Sequence, residues 1–539
     1  MPDSDSPRAA QAAHPTDVAE ASDDDPLSTG PHGLSDLPVR LRDALLHADW
    51  TVDAVTERLG DQGRAALARN HTVPGLRALA GQDDATAVLT RLWPLQDTVD
   101  LAAAHRALPE LVEPLARAGF LAVEGDQVRA LIDIRPYGSD DGLSAWIAAD
   151  LTPGLDGRVD PIADDYVLGV SPASTTMTQL ATRRPVGTAV DLGTGCGVQS
   201  LHLARHADTV IATDVNARAL DLARFTFALN AINVDVRAGS LYEPVTERVD
   251  QIVSNPPYVM APPGSAHLTY REGGMRADDL VREVVVGGAQ RLNPGGTLQV
   301  LGNWAHPADG DWQERLAGWF DGVGCSAHIV QREYLSAAEY VELWLADAGL
   351  IGTSDYRRAY DEWLDYFAAE RIGGVGMGWI FVSRSTDGEQ RSEIDIEEWP
   401  HAVEMPIGPT AERRPQRQRS AACSDEELLA SRWVLAPDVV QETTGRPGQA
   451  DPAHVVLRQQ RGFRRAVEVD TALGGILGAC DGELPLGVII DVVAELLDAE
   501  VADLRTASLQ RIRPLITDGL LDLAATELTE EPRHTEETA

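Results

Sequence analysis

The hydrophobic positions near the beginning of the chain follow a helical pattern. Between Leu37 and Leu108, apolar residues recur three or four positions apart in short segments that glycine and proline separate. A further helical segment precedes two short apolar runs, Phe120–Val123 and Val128–Ile134, which a glycine-containing turn joins. Helices followed by a two-stranded ribbon predict a winged-helix-like N-terminal domain over residues 36–147.

The pattern changes to alternating strands and helices over residues 148–384, which is typical of an open parallel sheet. Seven segments are predicted strands: Thr188–Leu192, Thr209–Asp214, Val234–Ala238, Val249–Ser254, Thr297–Leu301, Ala327–Gln331 and Gly378–Ser383. Predicted helices lie between them, at Val198–His206, Ala217–Asn230, Asp278–Arg291, Trp312–Phe320 and within Ala337–Arg371. We therefore expect an α/β fold with a Rossmann-like seven-stranded sheet, flanked by mainly helical winged-helix-like domains.

The remaining segments are defined by composition. Residues 385–423 are rich in Glu, Arg, Pro and Ser, which indicates a linker, and residues 424–524 return to a mostly helical, winged-helix-like pattern. Residues 1–35 and 525–539 are acidic and contain few large apolar side chains, so we expect both to be disordered tails.

Charge, cysteine spacing and hydropathy limit the partners, metal sites and cellular compartments that we expect for the chain. The chain has 45 basic and 84 acidic residues, a formal net charge of -39, which repels the phosphate backbone of nucleic acids unless arginines cluster locally. The cysteines, Cys196, Cys325, Cys423 and Cys480, lack metal-ligand or disulfide spacing, so we expect no metal. No apolar run is long enough to span a bilayer and the N-terminus does not have the pattern of a signal peptide, so we expect a cytoplasmic protein without membrane contact.

A glycine-rich turn follows the first predicted strand of the sheet. Its sequence, Asp191-Leu-Gly193-Thr194-Gly195-Cys-Gly197, precedes an amphipathic helix, and glycines at such a turn let the backbone approach a ligand closely. Asp214 ends the second strand, where a carboxylate can accept hydrogen bonds from a ribose hydroxyl pair. Together these features predict a nucleoside-containing cofactor. The alternative is that Asp214 only caps the next helix and that the glycines only form a turn.

The fourth strand ends in a turn with the sequence Asn255-Pro256-Pro257-Tyr258. Ligands of open α/β sheets lie beyond the carboxyl ends of the strands, so this turn should face the glycine turn. The two prolines fix the backbone, and the Asn255 side-chain oxygen and the Pro256 carbonyl can both accept protons of one planar –NH2 group. Tyr258 could stack on the same flat group. The alternative is a proline-rich turn at the end of an edge strand.

These motifs together resemble those of class I S-adenosylmethionine methyltransferases of the Asn-Pro-Pro-Tyr group. That group includes release-factor glutamine N5-methyltransferases (HemK/PrmC type), adenine-N6 DNA methyltransferases and guanine-N2 ribosomal RNA methyltransferases. Around the turn, Pro262, Pro263, Gly273 and Gly274 are most similar to the eukaryotic and archaeal branch of the glutamine enzymes. The resemblance implies S-adenosylmethionine as cofactor and a macromolecular substrate.

The resemblance also implies a role for each motif residue. It implies that S-adenosylmethionine is bound by Asp191, Gly193, Thr194, Gly195, Gly197, Asp214, Ser240 and Asn255. Ser240 stands where the family usually has an acidic residue near the adenine amino group. It implies that Asn255, Pro256, Pro257 and Tyr258 form the catalytic turn that holds the substrate nitrogen.

The identity of the substrate is left open by the turn, because a glutamine side chain and an exocyclic base amine present the same –NH2 group. The acidic charge and the similarity around the turn favour a protein glutamine, in a translation factor, over ribosomal RNA or DNA. Winged-helix modules and two arginine clusters favour nucleic acid. The clusters are Arg413, Arg414, Arg417 and Arg419, then Arg458, Arg461, Arg464 and Arg465. A third hypothesis is a regulator that binds the cofactor without catalysis, and the intact Asn255–Tyr258 turn argues against it.

Overall fold

A computed structural model describes residues 36–158, 162–263, 271, 273–386, 393–447 and 452–524. The two tails predicted at residues 1–35 and 525–539 lie outside the described residues. Among the described residues, no helix is both long and apolar enough to cross a membrane.

The N-terminal part consists of short helices and three antiparallel strand pairings. Its helices are α1 (Leu37–His47), α2 (Val52–Leu67), α3 (Val73–Ala78), α4 (Ala85–Leu92), α5 (Leu101–Ala107) and α6 (Val112–Arg117). Its strands are β1 (Val99–Asp100), β2 (Leu121–Glu124), β3 (Gln127–Ala130), β4 (Ile132–Gly138) and β5 (Ser144–Asp150). The first three strands form a small sheet in the order β1-β3-β2, and β4 pairs with β5. The expected strand Val128–Ile134 is thus divided between β3 and β4.

The N-terminal part packs directly on the central part. The Phe120 and Phe225 ring centroids lie 4.4 Å apart, and the backbone N–H of Trp146 donates to the Asn230 side chain at 2.9 Å. One continuous apolar cluster includes buried residues from both parts. A boundary at 147/148 therefore falls inside β5, and not in an exposed connection.

The central part contains a single large sheet with helices beside it. Its strands are β6 (Val186–Leu192), β7 (Ala207–Asp214), β8 (Asp235–Ala238), β9 (Val249–Ser254), β10 (Leu292–Pro307), β11 (Ser326–Ser336), β12 (Ile372–Ser383) and β13 (Ile394–Glu398). Its helices are α7 (Pro172–Leu180), α8 (Val198–Leu203), α9 (Ala217–Leu229), α10 (Asp279–Arg291), α11 (Trp312–Ala317), α12 (Ala337–Asp347) and α13 (Tyr356–Ala369). Short 3-10 helices occupy Leu155–Gly157 and Gly318–Phe320.

The order of the strands confirms the α/β class. The sheet runs β13-β11-β12-β10-β9-β6-β7-β8, and the strands from β10 to β8 are parallel. β12 is antiparallel to both of its neighbours, β10 and β11. All seven predicted strands lie in this sheet. Since β6 lies between β9 and β7, the loops that follow these three strands emerge side by side.

The eighth strand corrects the prediction of a linker over residues 385–423. β13 (Ile394–Glu398) pairs in parallel with Ala327–Gln331, and α14 (Gly408–Ala421) follows it. The linker prediction is wrong for these residues. Their polar composition hides the structure because charged side chains form ion pairs there: Arg414 is buried and pairs with Asp395 and Asp518.

The C-terminal part adds strands to the mainly helical pattern predicted for residues 424–524. Its helices after α14 are α15 (Asp425–Ala430), α16 (Thr471–Gly478), α17 (Leu486–Leu496) and α18 (Val501–Thr517). Its strands are β14 (Arg432–Leu435), β15 (Val439–Thr444), β16 (His454–Gln459), β17 (Ala466–Val469), β18 (Asp481–Pro485) and β19 (Leu521–Leu523). They form two three-stranded sheets, β18-β14-β19 and β15-β16-β17.

Candidate functional site

A cavity of about 270 Å³ opens at the carboxyl ends of β6, β7 and β9. The glycine turn forms one wall and the Asn255 turn another, so the structure brings together the two motifs that the sequence predicts to face each other. The lining residues from predicted motifs are Gly193, Thr194, Gly195, Asp214, Ser240, Asn255, Pro256 and Pro257. This arrangement suits a ligand that contacts both turns at once.

The glycine turn has a backbone that only glycine adopts easily. Gly193 and Gly195 have φ of 76° and 54°, and a Cβ at either position would meet open space. Gly197, with φ of 87°, differs: a Cβ there would lie 2.6 Å from the Phe227 ring. The first two glycines therefore leave room for a ligand, whereas Gly197 allows α8 to pack closely on α9.

Asp191 lies behind the turn and is not among the residues that line the cavity. It is 1% exposed, and its Oδ2 accepts hydrogen bonds from the Thr194 hydroxyl at 2.7 Å and from the Ser200 backbone N–H and hydroxyl at 3.0 and 2.7 Å. Burial raises the pKa of Asp191 to about 6, although these hydrogen bonds oppose the shift. In this structure the carboxylate holds the turn in shape.

Asp214 does line the cavity. Its Oδ2 accepts from the Gly195 backbone N–H and its Oδ1 from that of Asn216, each at 2.9 Å, and burial raises its pKa. The cap of α9 is Asn216 itself, whose side chain accepts from the Arg218 N–H, so Asp214 is not simply the helix cap. A carboxylate has about four acceptor positions, and two hydrogen bonds therefore leave capacity for ligand hydroxyls.

The Asn255 side chain carries an unused acceptor. Its Oδ1 is buried and has no hydrogen-bond partner, although the residue lines the cavity. A buried acceptor without a hydrogen-bond partner destabilises the folded state by roughly 1–3 kcal/mol. Such an acceptor next to a cavity is therefore a candidate for a hydrogen bond to a ligand. A donor such as an –NH2 group within hydrogen-bond distance would satisfy this oxygen.

Tyr258 does not line the cavity beside Asn255. It is absent from the residues that line the cavity and packs against the apolar cluster under β9 and β10. Burial raises the pKa of its hydroxyl. Stacking of Tyr258 on a substrate therefore stays a prediction that this structure does not illustrate.

Other residues of the cavity were not identified from the sequence. They come from α7 and the segment before it, and from α10 and the loop before it, and include Tyr166, Val167, Leu168, Gly169, Ser174, Met275 and Leu280. The only sequence signal was the N-cap Ser171 followed by Pro172, which marks the start of α7. The described residues contain no group of three or more His, Cys, Asp or Glu side chains placed to hold a metal ion.

Four of the eight arginines in the two clusters form ion pairs within the protein. Arg417 pairs with Asp522, Arg458 with Glu442, and Arg465 with both Glu397 and Asp518. Arg414 is engaged as described above. These four arginines hold the C-terminal part to the edge of the sheet or to itself, so carboxylates already neutralise their charge.

Comparisons with known proteins separate the chain into three matched regions. Residues 169–320 match the family described as the Methyltransferase small domain. Residues 47–131 and 417–522 match two families described as domains of unknown function, DUF7059 and DUF7782.

Curated relatives match the chain over part of its length. The Ribosomal RNA small subunit methyltransferase C of Alcanivorax borkumensis is 32% identical over 117 residues, which cover 22% of this chain and 32% of the relative. That of Salmonella arizonae is 29% identical over 175 residues, 32% of this chain and 45% of the relative. The chain thus spans less than half the length of these relatives.

Among solved structures, a T. thermophilus 16S rRNA N2 G1207 methyltransferase in complex with AdoMet and guanosine is 15% identical, with a TM-score of 0.25, covering 53% of this chain and 63% of that chain. The sequence match to the family model is more informative, because it includes the glycine turn, Asp214 and the Asn255 turn. Residues 169–320 are therefore the part of the chain that is similar to a methyltransferase small domain.

Proposed function

We propose that this chain is an S-adenosylmethionine-dependent N-methyltransferase that acts on an exocyclic amine of ribosomal RNA. The observation that carries the proposal is the buried Asn255 Oδ1, which lacks a hydrogen-bond partner and belongs to a residue that lines the same cavity as Gly193 and Gly195. The match of residues 169–320 to the Methyltransferase small domain supports the reaction class.

The cofactor would be held mainly by the glycine turn and Asp214. When bound, S-adenosylmethionine supplies an electrophilic methyl group. Gly193 and Gly195 leave space for close approach, and Asp214 accepts hydrogen bonds from hydroxyls of the ribose. Ser240 also lines the cavity and is the residue proposed to lie near the adenine.

The Asn255 turn would orient the substrate nitrogen. Asn255 Oδ1 and the Pro256 carbonyl accept the two N–H protons, which directs the nitrogen lone pair toward the methyl group. The same two acceptors would stabilise the positive charge that develops on nitrogen as the new N–C bond forms and the methyl–sulfur bond breaks, which would leave S-adenosylhomocysteine. After transfer the extra proton leaves to solvent, so no strong base is required.

The choice of ribosomal RNA follows the comparisons, and it reverses the preference for protein drawn from charge and local motif similarity. Both curated relatives described above are named as ribosomal RNA small subunit methyltransferases. A protein glutamine is the second candidate. Gly273, one of the residues similar to the glutamine enzymes, lines the cavity.

Labelled methyl transfer distinguishes the two candidates. The purified chain is incubated with methyl-labelled S-adenosylmethionine and, separately, with small ribosomal subunits, naked ribosomal RNA or purified translation factors. A parallel reaction with excess S-adenosylhomocysteine is the control. We expect label that nuclease digestion releases as an N-methylated nucleoside. Label released by proteolysis as N-methylglutamine would favour the second candidate, and no transfer to any of the three would contradict both.

A further inference from the structure

The C-terminal part exposes a continuous set of apolar side chains on α17 and its two ends. Val488, Val492 and Leu496 are four residues apart, so they lie on one face of the helix. All three are exposed, Leu496 by 78%. Leu484, Leu497 and Val501 are also exposed. We refer to these six residues together as the apolar stripe.

The apolar stripe differs from scattered surface leucines because the helix beneath it is already well packed. Ile489, Ile490 and Ala494 are buried on the opposite face of α17, so the core does not need the exposed residues. At Val501 the stripe meets a depression that is lined in part by Leu429 and Leu509. A contiguous apolar surface of this kind is typical of a site for another macromolecule.

The segment that carries the apolar stripe is acidic, although Arg432 of the neighbouring strand β14 lies opposite Pro485. Residues 481–503 contain seven acidic side chains and no basic one: Asp481, Glu483, Asp491, Glu495, Asp498, Glu500 and Asp503. Asp491 forms an ion pair with Arg505. We refer to the other six carboxylates of this segment as the acidic flank of the stripe. A complementary partner must therefore combine an apolar face with positive charge.

This requirement excludes several occupants on electrostatic grounds. The terminal segments of this chain, residues 1–35 and 525–539, are themselves acidic, and a second copy would bring the same carboxylates together. Nucleic acid and anionic lipid surfaces are repelled as well. We propose that the apolar stripe binds a basic amphipathic helix of another protein, with apolar side chains on the stripe and lysines or arginines against its acidic flank. This proposal does not depend on the catalytic function proposed above.

Fluorescence anisotropy with the full chain tests the proposal. The probe is a labelled 18-residue helical peptide with leucines at three- and four-residue spacing and lysines on its other face. Two comparison peptides have the same composition in scrambled order, or glutamate in place of each lysine. We expect the first peptide to bind, the scrambled peptide to bind at least about tenfold more weakly, and the glutamate peptide not to bind.

Variants locate the binding. The double substitution Val492→Ser and Leu496→Ser removes two exposed side chains, so folding should be preserved and affinity should fall on the order of tenfold. The matched control, Leu343→Ser with Ile351→Ser, changes two exposed apolar residues elsewhere and should leave affinity unchanged. Equal binding of the first and scrambled peptides, or equal effects of the two double variants, would overturn the proposal. The proposal would also be overturned if the chain formed a dimer, or cosedimented with anionic vesicles, and the Val492→Ser and Leu496→Ser substitutions abolished that association.

Discussion

Alanine should affect two glycines of the same turn differently, reducing mainly stability at Gly197 and mainly cofactor affinity at Gly195. At Gly197, φ is 87° and the new Cβ would lie 2.6 Å from Cε1 of Phe227, a buried ring. A left-handed backbone costs a residue with a Cβ about 1–2 kcal/mol, and overpacking in a core adds about 1–3 kcal/mol. Gly197→Ala should therefore lower the free energy of unfolding by roughly 2–5 kcal/mol.

Gly195→Ala provides the matched comparison. Its φ of 54° carries the same backbone cost, but no atom lies within 4 Å of the new Cβ. The loss of stability should stop at about 1–2 kcal/mol. The methyl group instead enters the space where we propose that the cofactor binds, so affinity for S-adenosylmethionine should fall on the order of tenfold or more.

Urea unfolding and calorimetric titration with S-adenosylmethionine measure the two effects. The denaturation midpoint should fall further for Gly197→Ala than for Gly195→Ala, with similar slopes. The reasoning would be refuted if Gly195→Ala were the less stable variant. Unchanged cofactor affinity in Gly195→Ala would show that the turn is not the binding surface.

Three further substitutions test other residues of the site. Asp214→Ala should weaken S-adenosylmethionine binding by the equivalent of roughly 1–3 kcal/mol, and unchanged affinity in a calorimetric titration would contradict its ribose role. Burial raises the pKa of Asp191 from its ordinary value of 3.8 to about 6, so between these pH values the folded protein binds more protons at Asp191 than the unfolded protein does. The contribution of Asp191 to the free energy of unfolding therefore falls as pH rises from about 4 to about 6. The free energy of unfolding of Asp191→Asn, measured with urea at several pH values, should lack this pH-dependent contribution. A pH dependence identical to that of the unmodified chain would refute the assignment. Tyr340→Phe removes a buried hydroxyl that accepts from the Met260 N–H and the Asn303 side chain, at 3.1 and 2.8 Å. Because Met260 follows the Asn255 turn, which we propose to be catalytic, we expect kcat to fall while cofactor affinity stays constant. A loss of affinity with unchanged kcat would contradict this positioning role.

The central sheet was predictable because its strands carry strong local signals. Val249–Ser254 contains three β-branched apolar residues and has matching bounds in the sequence and the structure, and Asn255 at the cavity directly follows it. The contact between the glycine turn and the Asn255 turn follows from the general rule that strand ends meet at one edge of a parallel sheet.

The features that the sequence missed depend on tertiary contacts. β13 is short and polar, and it is identified only by its pairing with Ala327–Gln331. The position of Asp191 behind the turn depends on Ser200, which approaches only when α8 forms. Tyr340 lies about 80 positions along the chain from Met260, so no local pattern indicates their hydrogen bond.

The central claim is that Asn255 holds the reacting nitrogen in a cavity where the cofactor binds. Single-turnover methyl transfer to the substrate that accepts label in the assay above, compared between the unmodified chain and Asn255→Ala, tests this claim most directly. We predict a rate lower by roughly 100-fold or more, with S-adenosylmethionine affinity changed little, and partial retention of the rate in Asn255→Asp, which keeps an acceptor oxygen. Transfer by Asn255→Ala at the rate of the unmodified chain would contradict the account.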